Sequence, residues 1–491
     1  MLTRIRALLT QGSLRGRTAR GGMWLGGATA FDQFSRYARQ VILARILAPS
    51  DFGLMSIIIA IMAAFESLTE VGIRACVIQS KEGATREFLN AAWWSSVLRG
   101  TVLAAAGIAA APLVAWSYHR GEIVPLLRVA TMAMFIRGLV SPRIHALERE
   151  MQYGRVAAIN QGAGTLAVAA TIVMSFYIRN VWALVAGYVL EAGTRTALSF
   201  AVAPFAPRLK VDWESVKVLS RYARGMVGLP VLMMVVAQVP ILVLGKVRTI
   251  EEVPLYTFAA GLAGIPLTVF NAAIMKLMLP AFSKVQEDAA RFKAAVLASI
   301  EIVALFGAPV TAFIIVFSKP LMGLSYGARY ESGATALAIL AVSTLVTMVN
   351  GNISNVFFAR ANPGGYRDYT LLRAVLLSAA IVPAAYYFGA AGTAAASLGA
   401  LAAVFPIQMR GVRALVAVGG GDVARSAGYG LMLGGATLLA SAAAYLAAGG
   451  RPWVSLGAGL VICAAAVAVA SRKAISVITY AGKEPSNAIS G

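Results

Sequence analysis

Cysteine, histidine and acidic residues are scarce in this chain of 491 residues, which has two Cys, two His and 21 Asp plus Glu against 43 Lys plus Arg. Cys76, in a predicted loop, and Cys463, in the last apolar segment, share no ligand or redox spacing and are expected to be reduced thiols. His119 and His145 fall in loops on opposite sides of the predicted topology, so no histidine metal cluster is expected. No G-x-x-x-x-G-K-[S/T] stretch exists, and Gly419-Gly420-Gly421 runs into Asp422, which argues against a phosphate-cradling loop and an ATP site. No Asp-x-Asp pair and no long outer loop are present, which counts against a membrane glycosyltransferase, polymerase or ligase. Neither an enzyme nor a resident metal or cofactor is expected.

Charge is the next shortage. Only 13% of residues are charged, where soluble domains carry about 25%. In its place stand 59% hydrophobic residues and a mean hydropathy of +0.75. Apolar segments long enough to span a bilayer recur along nearly the whole chain, so the expected fold is an all-α polytopic membrane protein with about fourteen spans. The expected organisation is a basic N-terminus over 1–23, six spans over 24–203 and a basic interfacial linker over 204–224. A further six spans over 225–409, a trailing pair over 410–470 and a tail over 471–491 complete it. With the N-terminus in the cytoplasm, about 28 Lys/Arg lie inside and about 7 outside, so both termini are expected to be cytoplasmic. The N-terminus lacks a short apolar core with a small-residue cleavage site, so no removable signal is expected. On this view most of the +22 net charge reflects topology and anionic-lipid contact, not nucleic-acid binding.

The charges inside the spans are more specific. Seven arginines (36, 39, 45, 99, 128, 137 and 195) lie within apolar stretches of the first 200 residues. A guanidinium stays charged, and at a span centre it costs roughly 2.5–3.5 kcal/mol even on the gentlest scale. Arg45, Arg128 and, in the second half, Arg373 lie near predicted span ends, where snorkelling to the interface is expected. Arg36, Arg39, Arg99, Arg137 and Arg195 are deeper and need an acid or a wet cavity. Four acids share these six spans: Asp32, Glu66, Glu70 and Glu191. Asp32, Arg36 and Arg39 share a helix face, as do Glu66 with Glu70 and Glu191 with Arg195. The arginine excess points to a water-filled cationic chamber in the first half, with the acids as counter-ions or ion-coupling groups.

The segment Leu43-Ala-Arg-Ile-Leu-Ala-Pro-Ser-Asp-Phe-Gly-Leu54 resembles the R-x-L-x-P-x-D-F-G-L signature of polysaccharide transporter proteins. These are the Wzx-like flippases of the MOP (multidrug/oligosaccharidyl-lipid/polysaccharide) superfamily. Leu279-Pro-Ala-Phe-Ser-Lys-Val285 and Pro320-Leu-Met-Gly-Leu-Ser-Tyr-Gly327 follow in the order expected of the family. Pro49 and Gly53 are expected to turn the chain between two helices, with Asp51 as a cap. A weak internal echo joins Ile42-Leu-Ala-Arg-Ile-Leu47 to Ile241-Leu-Val-Leu-Gly-Lys246, with Pro254 standing where Gly53 would be.

The resemblance implies two six-helix lobes about a central cationic cavity, plus a trailing helix pair. It further implies alternating-access export of a polyprenyl-pyrophosphate-linked oligosaccharide across the bacterial inner membrane, for exopolysaccharide, capsule or O-antigen (lipopolysaccharide) synthesis. Membrane lipids, a polysaccharide polymerase and export machinery are the implied partners. Arg36, Arg39, Arg99, Arg137 and Arg195 become the headgroup-binding set, and Asp32, Glu66, Glu70 or Glu191 the groups that exchange H⁺ or Na⁺. A lipid II flippase, a MATE-like multidrug antiporter and a non-transporting membrane assembly protein are the competing readings.

Overall fold

The computed structural model describes residue 31 and residues 33–68, 72–226, 228–270, 287–360, 362–449 and 451–481. Asp32, Glu70, the basic N-terminus and the 279–285 motif lie outside the described residues. Helices and short connections make up everything described, and no strand occurs among these residues.

Two compact units divide the chain, residues 1–253 and 254–491. The first holds α1 (33–46), α2 (Pro49–Leu68), α3 (Ile73–Gln79), α4 (Arg86–Tyr118) and α5 (Ile123–Gly138). It continues with α6 (Arg143–Arg149), α7 (Tyr153–Tyr177), α8 (Val181–Val202), α9 (Trp213–Met226) and α10 (Leu229–Val247). The second unit holds α11 (Val253–Phe270), α12 (Ala289–Val316), α13 (Ser318–Tyr326) and α14 (Ala334–Ala359). It ends with α15 (Pro363–Val416), α16 (Gly420–Ala447) and α17 (Pro452–Ala481).

Among the described residues, ten helices are long and apolar enough to cross a bilayer, or eleven if α5 and α6, bent by 58° at their junction, form one broken span. Fourteen is not reached by that measure, for identifiable reasons. Glu191 and Arg195 dilute α8, although its 22 residues suffice in length. Helix α15 counts once, yet Gly389 at φ 55° breaks it between the two segments predicted there. Of the first predicted span, 24–47, residues 24–30 and 32 lie outside the described residues.

Local chemistry sets the helix starts. Thr85 Oγ1 accepts from the Phe88 amide at α4, Asn180 Oδ1 from Trp182 at α8, and Asp288 Oδ1 from Ala290 and Arg291 at α12. The 204–224 linker is clamped to α4: Asn90 Nδ2 donates to the Arg208 and Lys210 carbonyls (2.9 and 2.8 Å), and Trp94 Nε1 donates to Arg208 O (2.8 Å). Hydrogen bonds from the Ser215 hydroxyl and amide start α9 and hold the half-buried Asp212 carboxyl below the usual range. Leu219 on α9 packs with Cys76, Val77 and Phe88, so Cys76 is a buried helix residue, not a loop thiol. The unit boundary follows α10 because that helix packs on α2. It falls one helix beyond the linker expected to separate the lobes. In the second unit, α12 packs with α14, α16 and α17 over a core that includes Phe292, Val296, Ile353 and Phe357.

The signature turn differs from its expected geometry. Pro49 opens α2 where a missing N–H is harmless, and Asp51 Oδ2 accepts from the Ala48 amide at 3.0 Å. Gly53 is not a turn residue; it lies inside α2 against the 3₁₀ turn Ile250–Glu252, and an added Cβ would overlap the Ile250 carbonyl oxygen. The start of α2 thus packs against the turn that follows the echo. Gly53→Ala is expected to destabilise the protein by about 1–3 kcal/mol, because overpacking outweighs the helix propensity gained. Gly264→Ala, in open space on α11, is the control and should not lower the thermal midpoint.

Candidate functional site: a cationic cavity in the first unit

Helices α4 and α5 approach to backbone contact through two glycines. A Cβ on Gly100 would sit 2.7 Å from Met134 O, and one on Gly138 2.7 Å from Ser96 O. Small residues at facing positions are how membrane helices gain such close packing. The neighbouring residues, Arg99 and Arg137, are thereby brought side by side. Both reach Glu66 on α2. Arg137 Nη1 pairs with Glu66 Oε1 at 2.9 Å, and Arg99 Nη2 donates to the Glu66 carbonyl at 2.9 Å.

Helix α8 forms the next wall, tied to α5 where Thr196 Oγ1 donates to Ile136 O at 2.9 Å. Tyr188, Glu191 and Arg195 share one of its faces through i, i+3 and i+7 spacing. The Tyr188 ring lies 4.6 Å under the Arg137 guanidinium. Glu191 Oε1 pairs with Arg36 Nη2 of α1 at 2.9 Å, not with Arg195 one turn on. Arg195 lies within Coulombic reach of Arg137, Glu191 and Arg36, yet it forms no ion pair or hydrogen bond among the described residues.

These groups open onto a cavity of about 590 Å³, with Glu66, Arg99, Arg137 and Arg195 in its lining. That volume suits a small headgroup. Arg74 and His145 line it as well, from the short helices α3 and α6. Arg74 Nε pairs with Glu148 Oε2 at 2.6 Å, and Arg149 Nη1 donates to Ser80 O at 2.9 Å, so the two short helices are latched together. No group of three or more His, Cys, Asp or Glu that could hold a metal ion occurs among the described residues.

Three of the five predicted arginines, Arg99, Arg137 and Arg195, therefore meet in one cavity. Arg36 joins them through Glu191, whereas Arg39, on α1, is not in the lining. Of the four acids, Glu66 and Glu191 are placed in ion pairs. Sequence reasoning missed Tyr188, Arg74 and His145. The periodicity with Arg195 was a usable signal for Tyr188, but Arg74 and His145 stand in segments that looked like plain loops.

The chain is similar to known proteins in sequence and in fold. The chain is 23% identical over 382 residues to the lipopolysaccharide biosynthesis protein WzxC of Escherichia coli (strain K12), covering 77% of each chain. It is 24% identical over 303 residues to the succinoglycan biosynthesis transport protein ExoT of Rhizobium meliloti (strain 1021), covering 62% of this chain and 61% of that one. In fold it is similar to the lipid II flippase MurJ in an inward closed conformation, with a TM-score of 0.73 and 12% identity over 92% of this chain and 100% of that one. It is also similar to an inward-facing multidrug resistance MATE transporter of the MOP superfamily, with a TM-score of 0.59 and 16% identity over 78% of this chain and 95% of that one. The family model described as "Polysaccharide biosynthesis protein" matches residues 42–335, more than half of the sequence, and the chain belongs to that family.

Proposed function

We propose that this multi-pass membrane protein is a transporter that carries polyprenyl-diphosphate-linked oligosaccharide units from the inner to the outer leaflet of the bacterial inner membrane. The product serves exopolysaccharide, capsule or O-antigen synthesis. One observation carries the reading: Arg195 lines the cavity beside Arg99 and Arg137 and forms no ion pair or hydrogen bond among the described residues. A diphosphate offers such a guanidinium planar, bidentate oxygens. The lipid tail stays in the bilayer, so only the charged headgroup and glycan need the wet chamber. Relatives named for lipopolysaccharide and succinoglycan biosynthesis support the substrate class.

Arg36, Arg99, Arg137 and Arg195 serve the headgroup, with Arg39 following on α1. Alternating access of the two halves moves the site between leaflets. Asp32, Glu66, Glu70 or Glu191 exchanges H⁺ or Na⁺ with the headgroup's passage, which supplies the driving force without ATP. A polymerase and export machinery receive the product. The test is flipping in proteoliposomes of an undecaprenyl-diphosphate-linked trisaccharide, read by an impermeant lectin, with and without an imposed proton or sodium gradient. Lectin access that depends on the protein and rises with a gradient is expected. Flux of organic cations alone would assign the multidrug reading, and equal rates with and without a gradient would remove the coupling role. Lipid II shares the diphosphate and is the second reading, decided by offering it in the same assay.

The proposed orientation puts both termini in the cytoplasm. With Cys76 and Cys463 replaced by alanine, cysteines at the exposed Arg120 and Arg451 should react with an impermeant maleimide from outside intact cells. Cysteines at the exposed Lys81 and Lys217 should not, and outside labelling of Lys217→Cys would invert the topology.

A further inference from the structure

The short helices α3 and α6 form one end of the cavity, with Gly72, Ile73 and Arg74 on one side and Pro142, Ile144 and His145 on the other. They belong to different apolar clusters. The buried Cys76 and Val77 of α3 pack with Phe88 of α4 and Leu219 of α9. Ile144 and Leu147 of α6 pack instead with Val156 and Ile159 of α7 and with Ala203 at the end of α8. The side-chain bonds that cross from α6 to α3 and its C-cap are polar. Glu148 Oε2 accepts from Arg74 Nε at 2.6 Å, and His145 Nδ1 stands 3.6 Å from the same oxygen. Arg149 donates to the Ser80 and Lys81 carbonyls at 2.9 and 3.5 Å. The joints differ as well. Before α6, Ser141 Oγ donates to Ala203 O at 2.6 Å and the Ser141 amide donates to Ser199 Oγ at 2.9 Å, which pins the bend. Helix α3 is entered through Gly72 at φ 57°, a conformation glycine adopts without strain.

Apolar contacts hold each short helix to its own neighbours, and water cannot replace them without cost. Charge-assisted bonds can be exchanged for bonds to water. The Arg74 side chain is 68% exposed against 12% for Glu148, so water already reaches the pair from one side. A seam of this kind can part without disturbing either cluster. We propose that the α3–α6 seam is a gate to the cavity within the first unit. The Arg74–Glu148 pair and Arg149 on the α3 C-cap close it, and it opens when these bonds pass to water. Arg74, Glu148 and Arg149 act as positioning residues, and none of them needs to touch the cargo. On the transport reading above, on which only the identity of the cargo rests, the gate admits the headgroup from the cytoplasmic side. That step lies inside one half and is separate from the alternation of the two.

Alkylation of a cysteine inside the cavity reads the gate. Ser96→Cys, at a half-buried lining position, is built into the full-length Cys76→Ala, Cys463→Ala protein in nanodiscs, where both faces meet a charged maleimide. Arg74→Glu sets two carboxylates against each other and should raise the labelling rate about tenfold, the loss of roughly one charge-assisted contact. The swap of Arg74→Glu with Glu148→Arg restores an opposite-charge pair and should return the rate to within about twofold of the parent. Arg120→Glu breaks an exposed pair with Glu122 outside the lining and should leave the rate unchanged. A parental rate in a folded Arg74→Glu protein overturns the gate, and so does a swap that labels as fast as the single variant. Should Arg74→Glu fail to fold, Glu148→Gln decides in its place: faster labelling supports the gate and a parental rate overturns it. No lipid-linked saccharide is present, so failure here leaves the transport reading standing. A wild-type protein that does not flip the trisaccharide would remove the transport reading and leave the gate.

Discussion

Arg195→Ala is expected to abolish export while leaving a folded protein that accumulates in the membrane. Arg195 has no ion pair or hydrogen bond to lose among the described residues; Arg137 and Arg36 repel it, while Glu191 and Glu148 attract it through space. Removing it therefore orphans no ion-paired carboxylate. The cost falls on the loaded state. A bidentate guanidinium–diphosphate contact in a partly desolvated cavity contributes about 2–4 kcal/mol, so binding should weaken roughly 30- to 900-fold. Arg195→Lys keeps the charge but loses the fork, and partial export is expected. Complementation of a flippase-deficient strain reads export, and thermal unfolding of the purified protein reads stability. A stable Arg195→Ala protein with full export would end the cationic-chamber reading, and an unfolded one would make Arg195 structural.

The hydrophobic runs made the membrane class and most helices legible, because a span must satisfy its backbone internally and be apolar over about 20 residues. The arginines were legible for the same reason, since their cost in hydrocarbon requires a wet or paired setting. Their partners were not. Spacing of i and i+4 places Asp32 with Arg36 and Glu191 with Arg195 on common faces, but says nothing of what stands opposite. The structure pairs Arg36 with Glu191, 155 residues away, and Arg137 with Glu66, 71 residues away. The placing of Arg137 beside Arg99 follows from the Gly100 and Gly138 contact between α4 and α5, a long-range fact. Gly53 looked like a turn residue because Pro-x-Asp-x-Gly is turn chemistry, and only the packed Ile250 carbonyl explains it.

The Arg137–Glu66 pair should behave in the opposite way to Arg195. Arg137→Ala leaves the Glu66 carboxylate in the cavity wall, with its ion-pair partner gone. Breaking a fully buried pair costs about 3–5 kcal/mol. Here the side chains are 30% and 37% exposed, so water screens part of that and a loss of roughly 1–3 kcal/mol is expected. Adding Glu66→Gln removes the carboxylate's charge, and the double variant should recover most of the lost stability. It should not recover transport, because the headgroup still lacks Arg137. Glu66→Gln alone leaves every arginine in place and adds one net positive charge to the lining. It should bind the diphosphate probe at least as tightly as wild type and lose any gradient-driven acceleration that Glu66 carries. A double-mutant cycle on thermal unfolding, with binding measured on the same four proteins, separates these outcomes. A coupling energy near zero would show that the pair is not a structural unit, and recovered transport in the double variant would remove Arg137 from the headgroup site. Stability and transport are expected to part at this pair because the carboxylate determines one and the guanidinium the other.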